Sequence, residues 1–155
     1  MTISTTLFTS NLRALLTETF ESVQGIYLDR GTSLTETLAQ LNAEQASKPL
    51  IADGSTIAGH VEHIRFYIRV LNAYIDGVNA DKIDWKQSWL THTVTDVEWD
   101  GIRASLRDDY QALLAHLESI ENWDADRPLG GALAIVVHTA YHLGAIRQMM
   151  KAAQR

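Results

Sequence analysis

The stretch TIAGHVEHIRFYIRVLNAYID, residues 56–76, decides the fold class of this chain. Its apolar residues follow one another at alternating intervals of four and three positions: Ile57, Val61, Ile64, Ile68, Leu71 and Ile75. Such spacing places them along one face of an α-helix, where they can pack against other helices. The sequence therefore predicts a long helix over residues 56–76 that belongs to a helical bundle.

Three other segments have a helical period and complete the predicted bundle. We expect a first helix over residues 10–27, a third over residues 95–120, and a fourth from Gly131 to the end of the chain. The third helix begins at a capping box, in which the side chains of Thr95 and Glu98 bond each other's backbone amides.

Two shorter helical turns are predicted in the connection between the first and second long helices. A capping box of Ser33 and Glu36 begins a short helix that runs through Leu41, and a second turn ends before Pro49. The residue before a proline avoids helical backbone angles. The sequence thus predicts an all-α four-helix bundle with short extra helices in its connections, formed by a single domain over residues 1–155.

The composition excludes several classes of protein. The chain has 155 residues, 46% hydrophobic and 21% charged, which predicts a folded globular domain rather than a disordered one. A net charge of −6 is unlike that of nucleic-acid-binding proteins. We expect neither membrane association nor a signal peptide, and therefore a cytoplasmic protein. Because the chain contains no cysteine, His, Asp or Glu must supply any metal ligands.

A second stretch, VVHTAYHLGAIRQMM over residues 136–150, carries the candidate chemistry. His138 and His142 are four positions apart in an apolar helical run, so their rings lie one turn apart on the same face. Buried imidazoles need partners for their nitrogens, and one divalent ion can satisfy both rings. The alternative interpretation is two histidines that bond to neighbouring protein groups.

The second long helix offers two candidates for a third ligand, His60 and His63. On a helical wheel His60 falls near the middle of the apolar face and His63 nearer its edge, so the wheel alone favours His60. We interpret His92 and His116 as surface histidines or as histidines satisfied by neighbours. Carboxylate-bridged di-iron and hemerythrin-like sites are excluded, because their motifs of His and Glu are missing.

The two histidine stretches together resemble the DinB/YfiT-like superfamily of helical-bundle metalloenzymes. The resemblance covers nearly the whole chain and depends most on STIAGHVEHI and HTAYHLGAIRQ. In that family a metal-binding histidine follows seven residues after the Thr or Ser that opens the second long helix. Counted from Thr56, that residue is His63. The resemblance also implies His138 and His142, which precede Gly144, as the other two ligands.

One departure concerns the residue after Gly144. The family often has glutamine there, whereas this chain has Ala145. The departure predicts that a polar neighbour of the metal is missing from this chain.

Three imidazoles without a carboxylate leave a divalent ion with an open position, as is typical of catalytic sites. Zinc or nickel is the first expectation, with iron or manganese as alternatives. The resemblance implies a metal-dependent enzyme, such as a hydrolase or an S-transferase that uses a low-molecular-weight thiol. A non-catalytic metal-binding or ligand-binding bundle is the alternative, and a metal-free interaction protein is a third. We expect a small-molecule substrate, whose identity the sequence does not give. The sequence is compatible with a monomer and with a homodimer.

Aromatic and charged residues near the histidines complete the sequence predictions. Trp85 and Trp89 lie in the connection over residues 77–94, and we interpret them as packing it onto the bundle. The alternative is that they form the wall of a pocket over the metal. Trp99 is expected in the core, and Arg65 with Arg69 on a solvent-exposed face.

Overall fold

Polar side chains begin five of the six α-helices in the part of the chain that the structure describes. The capping residues, which each accept a hydrogen bond from a backbone amide in the first turn, are Ser4, Ser33, Asn42, Thr56 and Thr95. The capping boxes predicted at Ser33 and at Thr95 are both present.

The computed structural model describes residues 4–79 and 82–154, which form helices and, in those ranges, no strand. The helices are α1 (Thr5–Phe20), α2 (Leu34–Leu38), α3 (Ala43–Ala46), α4 (Ile57–Ile75), α5 (Asp96–Glu118) and α6 (Asp126–Ala153). A 3-10 helix over Trp85–Trp89 lies between α4 and α5. The predicted all-α class is confirmed. The predicted end of the fourth helix, at residue 155, and residues 80–81 of the predicted connection lie outside the described ranges.

The four long helices pack as a bundle in the order α4, α6, α1 and α5. Helix α4 contacts both α5 and α6, and α1 contacts the same two helices from the other side. The predicted apolar face of α4 is buried at Ile57, Val61, Ile64 and Ile68, each with no more than 1% of its surface exposed. This arrangement places one face of α4 directly against α6.

Helix α1 begins and ends earlier than the sequence predicted. The prediction of residues 10–27 was wrong because the chain after Phe20 turns back around Glu18 instead of continuing as a helix. The buried Glu18 carboxylate accepts hydrogen bonds from the backbone amides of Gln24, Ile26, Tyr27 and Leu28. Burial raises the pKa of this carboxyl, but the four donors outweigh burial and lower the pKa to about 2.

Helix α6 begins five residues before the predicted Gly131. Pro128 falls in the first turn of the helix, where backbone amides have no acceptor within the helix, so proline is tolerated there. At the other long helices the differences are small. Helix α5 ends at Glu118 rather than Ile120, and α4 matches the predicted range apart from its two capping residues.

Two further predictions are tested by burial. Trp99 is in the core as predicted, and its indole N–H donates to the carbonyl of Leu41 at 3.0 Å. The expectation for Arg65 was wrong. Its side chain is buried between α4 and α5, where it donates to Asp109 at 2.9 Å. Arg69 donates to the same carboxylate and is more than half exposed, as expected.

Helix α6 is long and apolar enough, by length and composition alone, to cross a membrane. The core helix of a bundle passes the same test, and α6 packs against α4 and α1 here. Because a core helix of a bundle passes the same test, the composition alone does not make α6 a membrane span.

Replacing Glu18 with glutamine should destabilise the protein in a pH-dependent way. The folded-state pKa of about 2 lies below the ordinary 4.5, so the stabilisation is complete above roughly pH 5. It is lost as the pH falls from 4.5 toward 2. Melting curves of Glu18→Gln should show a lower Tm than wild type at pH 7, with a difference that narrows below pH 4.5. The exposed Glu121→Gln is the control, and a difference that stays constant down to pH 2 would contradict the argument.

Candidate metal centre

The segment after α4 lies against the first turns of that helix because Gly59 has no side chain. A Cβ atom at this position would be 2.8 Å from the carbonyl oxygen of Thr91. The close approach brings the 3-10 helix, with Ser88 and Trp89, over the two histidines of α4. Thr56 caps α4 by accepting from the Gly59 amide, which fixes where the helix begins.

Three histidines from two helices meet between α4 and α6. The Nε2 atoms of His63 and His138 are 3.1 Å apart, and those of His138 and His142 are 3.2 Å apart. One ring nitrogen from each of the three lies within 4.8 Å of the others. The structure therefore brings together all three of the histidines that the resemblance implied.

His60 lies beside this triad without joining its centre. Its Nδ1 atom is 2.9 Å from Nδ1 of His142, on the side of that ring away from His138. Its Nε2 atom is 3.0 Å from the hydroxyl of Ser55. His60 and His63 are equally buried, each with 8% of its surface exposed, so burial alone does not separate the two candidates.

A serine hydroxyl orients the ring of His63 from the side that faces away from the other two histidines of the triad. Nδ1 of His63 is 2.7 Å from the buried hydroxyl of Ser88, which itself donates to the carbonyl of Trp85. Because the serine proton is used in that bond, its oxygen accepts a hydrogen from His63 Nδ1. His63 is therefore in the tautomer with its hydrogen on Nδ1, and its unprotonated Nε2 faces His138.

Aromatic rings form the wall around the histidines. Trp89 stacks on His63 with ring centroids 4.1 Å apart, and its edge contact with His60 is at 5.2 Å. Tyr67 stacks on His138 at 3.5 Å with the two planes nearly parallel. Both tryptophans therefore pack their connection onto the bundle as predicted, Trp89 against the histidine rings of α4 and Trp85 against Tyr67.

Burial keeps all four rings neutral at physiological pH. It lowers the pKa of His63, and together with the neighbouring His63 it lowers the pKa values of His60 and His138 to about 4. Burial and three neighbouring imidazoles lower the pKa of His142 to about 3. Neutral imidazoles have a lone pair to donate, which is the form that metal ions require.

The triad fits a divalent ion better than it fits a hydrogen-bonded cluster. Each neutral imidazole has one N–H and one lone pair. Nε2 of His138 contacts two other Nε2 atoms, and since His63 presents a lone pair there, hydrogen bonding without a cation can fully satisfy only one of the two contacts. The two distances are also close to the separation of about 3.3 Å between nitrogen ligands of a tetrahedral zinc ion. His63, His138 and His142 are thus the residues that could hold a metal.

Comparison with known protein families agrees with this geometry. The model of the DinB superfamily matches residues 27–146, which is most of the chain. The chain belongs to the DinB superfamily. No curated protein and no solved structure gives a significant match.

The other residues named from the sequence lie outside the triad. His92 is exposed, and His116 contacts the side chains of Asn72 and Asp76, so both agree with their interpretation as surface or satisfied histidines. Ala145, at the position where DinB proteins often have glutamine, lines a cavity of about 270 Å³. The same cavity is lined by His60, so Ala145 presents an apolar methyl group on that side of the cluster.

Sequence reasoning missed the residues that support the triad. Ser55 and Ser88 hydrogen-bond the outer nitrogens of the rings, and Tyr67 stacks on one of them. Ser88 lies in a connection with no clear period, and Ser55 precedes α4. A signal was available only for Tyr67, which lies four residues after His63 and therefore on nearly the same helical face.

Replacing Gly59 with alanine should separate the 3-10 helix from α4. The added methyl would be 2.8 Å from the Thr91 carbonyl, and overpacking of this kind typically costs about 1–3 kcal/mol. Gly101→Ala is the matched control, because no atom lies within 4 Å of its added Cβ. We expect chemical denaturation to show Gly59→Ala destabilised and Gly101→Ala stabilised by about 0.5–1 kcal/mol. Equal effects of the two substitutions would contradict the close approach.

Proposed function

We propose that this DinB protein binds one divalent metal ion through Nε2 of His63, His138 and His142. The observation that carries the proposal is the contact of one Nε2 atom with two others, which hydrogen bonding cannot satisfy in full. The lowered pKa values support it, because no protons have to be displaced at neutral pH. Zinc or nickel suits three imidazole ligands, and iron or manganese is the alternative.

We further propose that the protein is an enzyme and that the bound ion takes part in its reaction. An ion with three protein ligands supplies a Lewis acid that lowers the pKa of water or of a thiol at its open position. Within the chain, Trp89 and Tyr67 cover two of the ligand rings and exclude water from them. Their apolar faces would hold the site in a low dielectric, where charge interactions are stronger.

The reaction class that we propose is transfer of a low-molecular-weight thiol to an electrophilic acceptor. The chain contains no cysteine, so a nucleophilic sulfur must arrive as a small molecule. His63, His138 and His142 are neutral and carry no charge that would neutralise an ion, so an anionic thiolate is favoured as a further ligand. A hydrolase that uses water in the same position is the competing reaction, and a non-catalytic metal-binding bundle is the alternative function.

Metal binding is tested directly by elemental analysis and melting curves. Purified protein should contain close to one equivalent of Zn or Ni, or take it up after chelation, whereas His138→Ala/His142→Ala should not. Zinc at about 100 times its Kd should add about 2.7 kcal/mol to the unfolding free energy of wild type. His63→Ala should weaken binding far more than His60→Ala. The reverse ranking would exchange the roles of His60 and His63, and a protein that takes up no metal would refute the proposal.

The reaction class is tested by thiol consumption. We expect zinc-loaded or nickel-loaded protein to accelerate the loss of free thiol in the presence of an electrophilic acceptor, and the chelated protein and His63→Ala to lose this activity. Bacillithiol, mycothiol and glutathione should be compared as thiols. Metal binding without acceleration by any of them, but with ester or amide hydrolysis, would favour the hydrolase. Metal binding without either activity would favour the non-catalytic alternative.

A further inference from the structure

A chain of three side chains leads away from the triad on the far side of His142. Nδ1 of His142 is 2.9 Å from Nδ1 of His60, and Nε2 of His60 is 3.0 Å from Oγ of Ser55. All three side chains belong to the α4–α6 interface or to the residue just before the N-cap of α4. The contacts are within hydrogen-bonding distance, so each needs one hydrogen between its two atoms.

The direction of these hydrogens decides whether His142 can bind a metal. If His142 Nδ1 carries its hydrogen, it donates to His60 Nδ1, and the Nε2 of His142 presents a lone pair to His138. His60 then carries its own hydrogen on Nε2 and donates it to Ser55. In the opposite arrangement His60 donates to His142, and the hydrogen of His142 lies on Nε2, where it blocks coordination.

We propose that His60 is a positioning residue that holds His142 in the tautomer able to bind metal. This inference rests on the metal site proposed above and assigns His60 a role other than that of a ligand. Nδ1 of His60 faces Nδ1 of His142, so it lies on the opposite side of that ring from the nitrogen that meets His138. Ser55 completes the arrangement by accepting from the second nitrogen of His60.

The arrangement at His142 matches the one at His63. Ser88 accepts a hydrogen from Nδ1 of His63, just as His60 accepts one from Nδ1 of His142. Outer partners of metal-binding histidines fix the tautomer and the ring orientation, and their loss typically weakens metal binding 10–100-fold. His60 therefore fixes the tautomer of His142 on α6, as Ser88 fixes the tautomer of His63 on α4.

The tautomer can be measured without metal. Long-range ¹H–¹⁵N NMR spectra of metal-free wild type at pH 7.5 should show His142 with its hydrogen on Nδ1. His60→Asn keeps an acceptor near the position of Nδ1 and should preserve that tautomer. His60→Ala removes the acceptor and should give a mixture that includes the Nε2–H form.

Zinc affinity provides the second readout, by competition with a chromophoric chelator. We expect His60→Ala to bind Zn²⁺ about 10–100-fold more weakly than wild type, and His60→Asn to recover most of that loss. His116→Ala is the matched control, because His116 contacts Asn72 and Asp76 and not the triad. Its zinc affinity should equal that of wild type.

The outcomes separate the positioning role from the metal site itself. Wild type that takes up none of the proposed divalent metals refutes the proposed function, while the tautomers of the three proteins still test His60. Suppose that wild type binds zinc and that His60→Ala has the same zinc affinity and the same His142 tautomer as wild type. That result overturns the positioning role. Equal large losses in His60→Asn and His60→Ala overturn it as well, since they would make His60 a ligand. If His60→Ala does not fold, Ser55→Ala replaces it, with a weaker preference for the Nδ1–H form expected and an unchanged tautomer contradicting the proposal.

Discussion

Four imidazole rings lie between α4 and α6, with that of His138 half-buried and the other three buried, and their need for hydrogen-bond partners shapes the surrounding structure. The hydrogen-bond partners of these rings are serine hydroxyls and other imidazoles, none of which stabilises a positive charge. Burial keeps the rings neutral, and together with three neighbouring imidazoles it lowers the pKa of His142 to about 3. A buried polar nitrogen costs free energy unless it is hydrogen-bonded, and the close approach permitted by Gly59 brings such a partner to His63 from the 3-10 helix.

The parts of the fold that sequence predicted correctly depend on contacts between near neighbours in the chain. The apolar face of α4 and the capping boxes at Ser33 and Thr95 are each determined within a few residues. The end of α1 was missed because it depends on Glu18 bonding amides as far away as Leu28. A buried carboxylate within an amphipathic pattern gives no sign of which amides it will bind.

The residues of the candidate site also differ in whether contacts between near neighbours in the chain determine their positions. His138 and His142 were predictable because a spacing of four on one helix fixes their relative positions. The choice between His60 and His63 required the resemblance to a family, since both are buried equally and both contact histidines of α6. Their difference depends on how α4 meets α6 and on Ser88, which comes from a connection without periodicity.

The three proposed ligands are not held equally. His63 and His142 each have a partner for Nδ1, whereas Nδ1 of His138 is buried with no hydrogen-bond partner among the described residues. Stacking on Tyr67 restrains the plane of the His138 ring without fixing its rotation within that plane. A ligand restrained in this way can adjust its direction at little cost, while its two neighbours stay fixed. Among the three rings, that of His138 is thus the one whose outer nitrogen has no hydrogen-bond partner to fix its direction, and it lies on α6 one turn before His142.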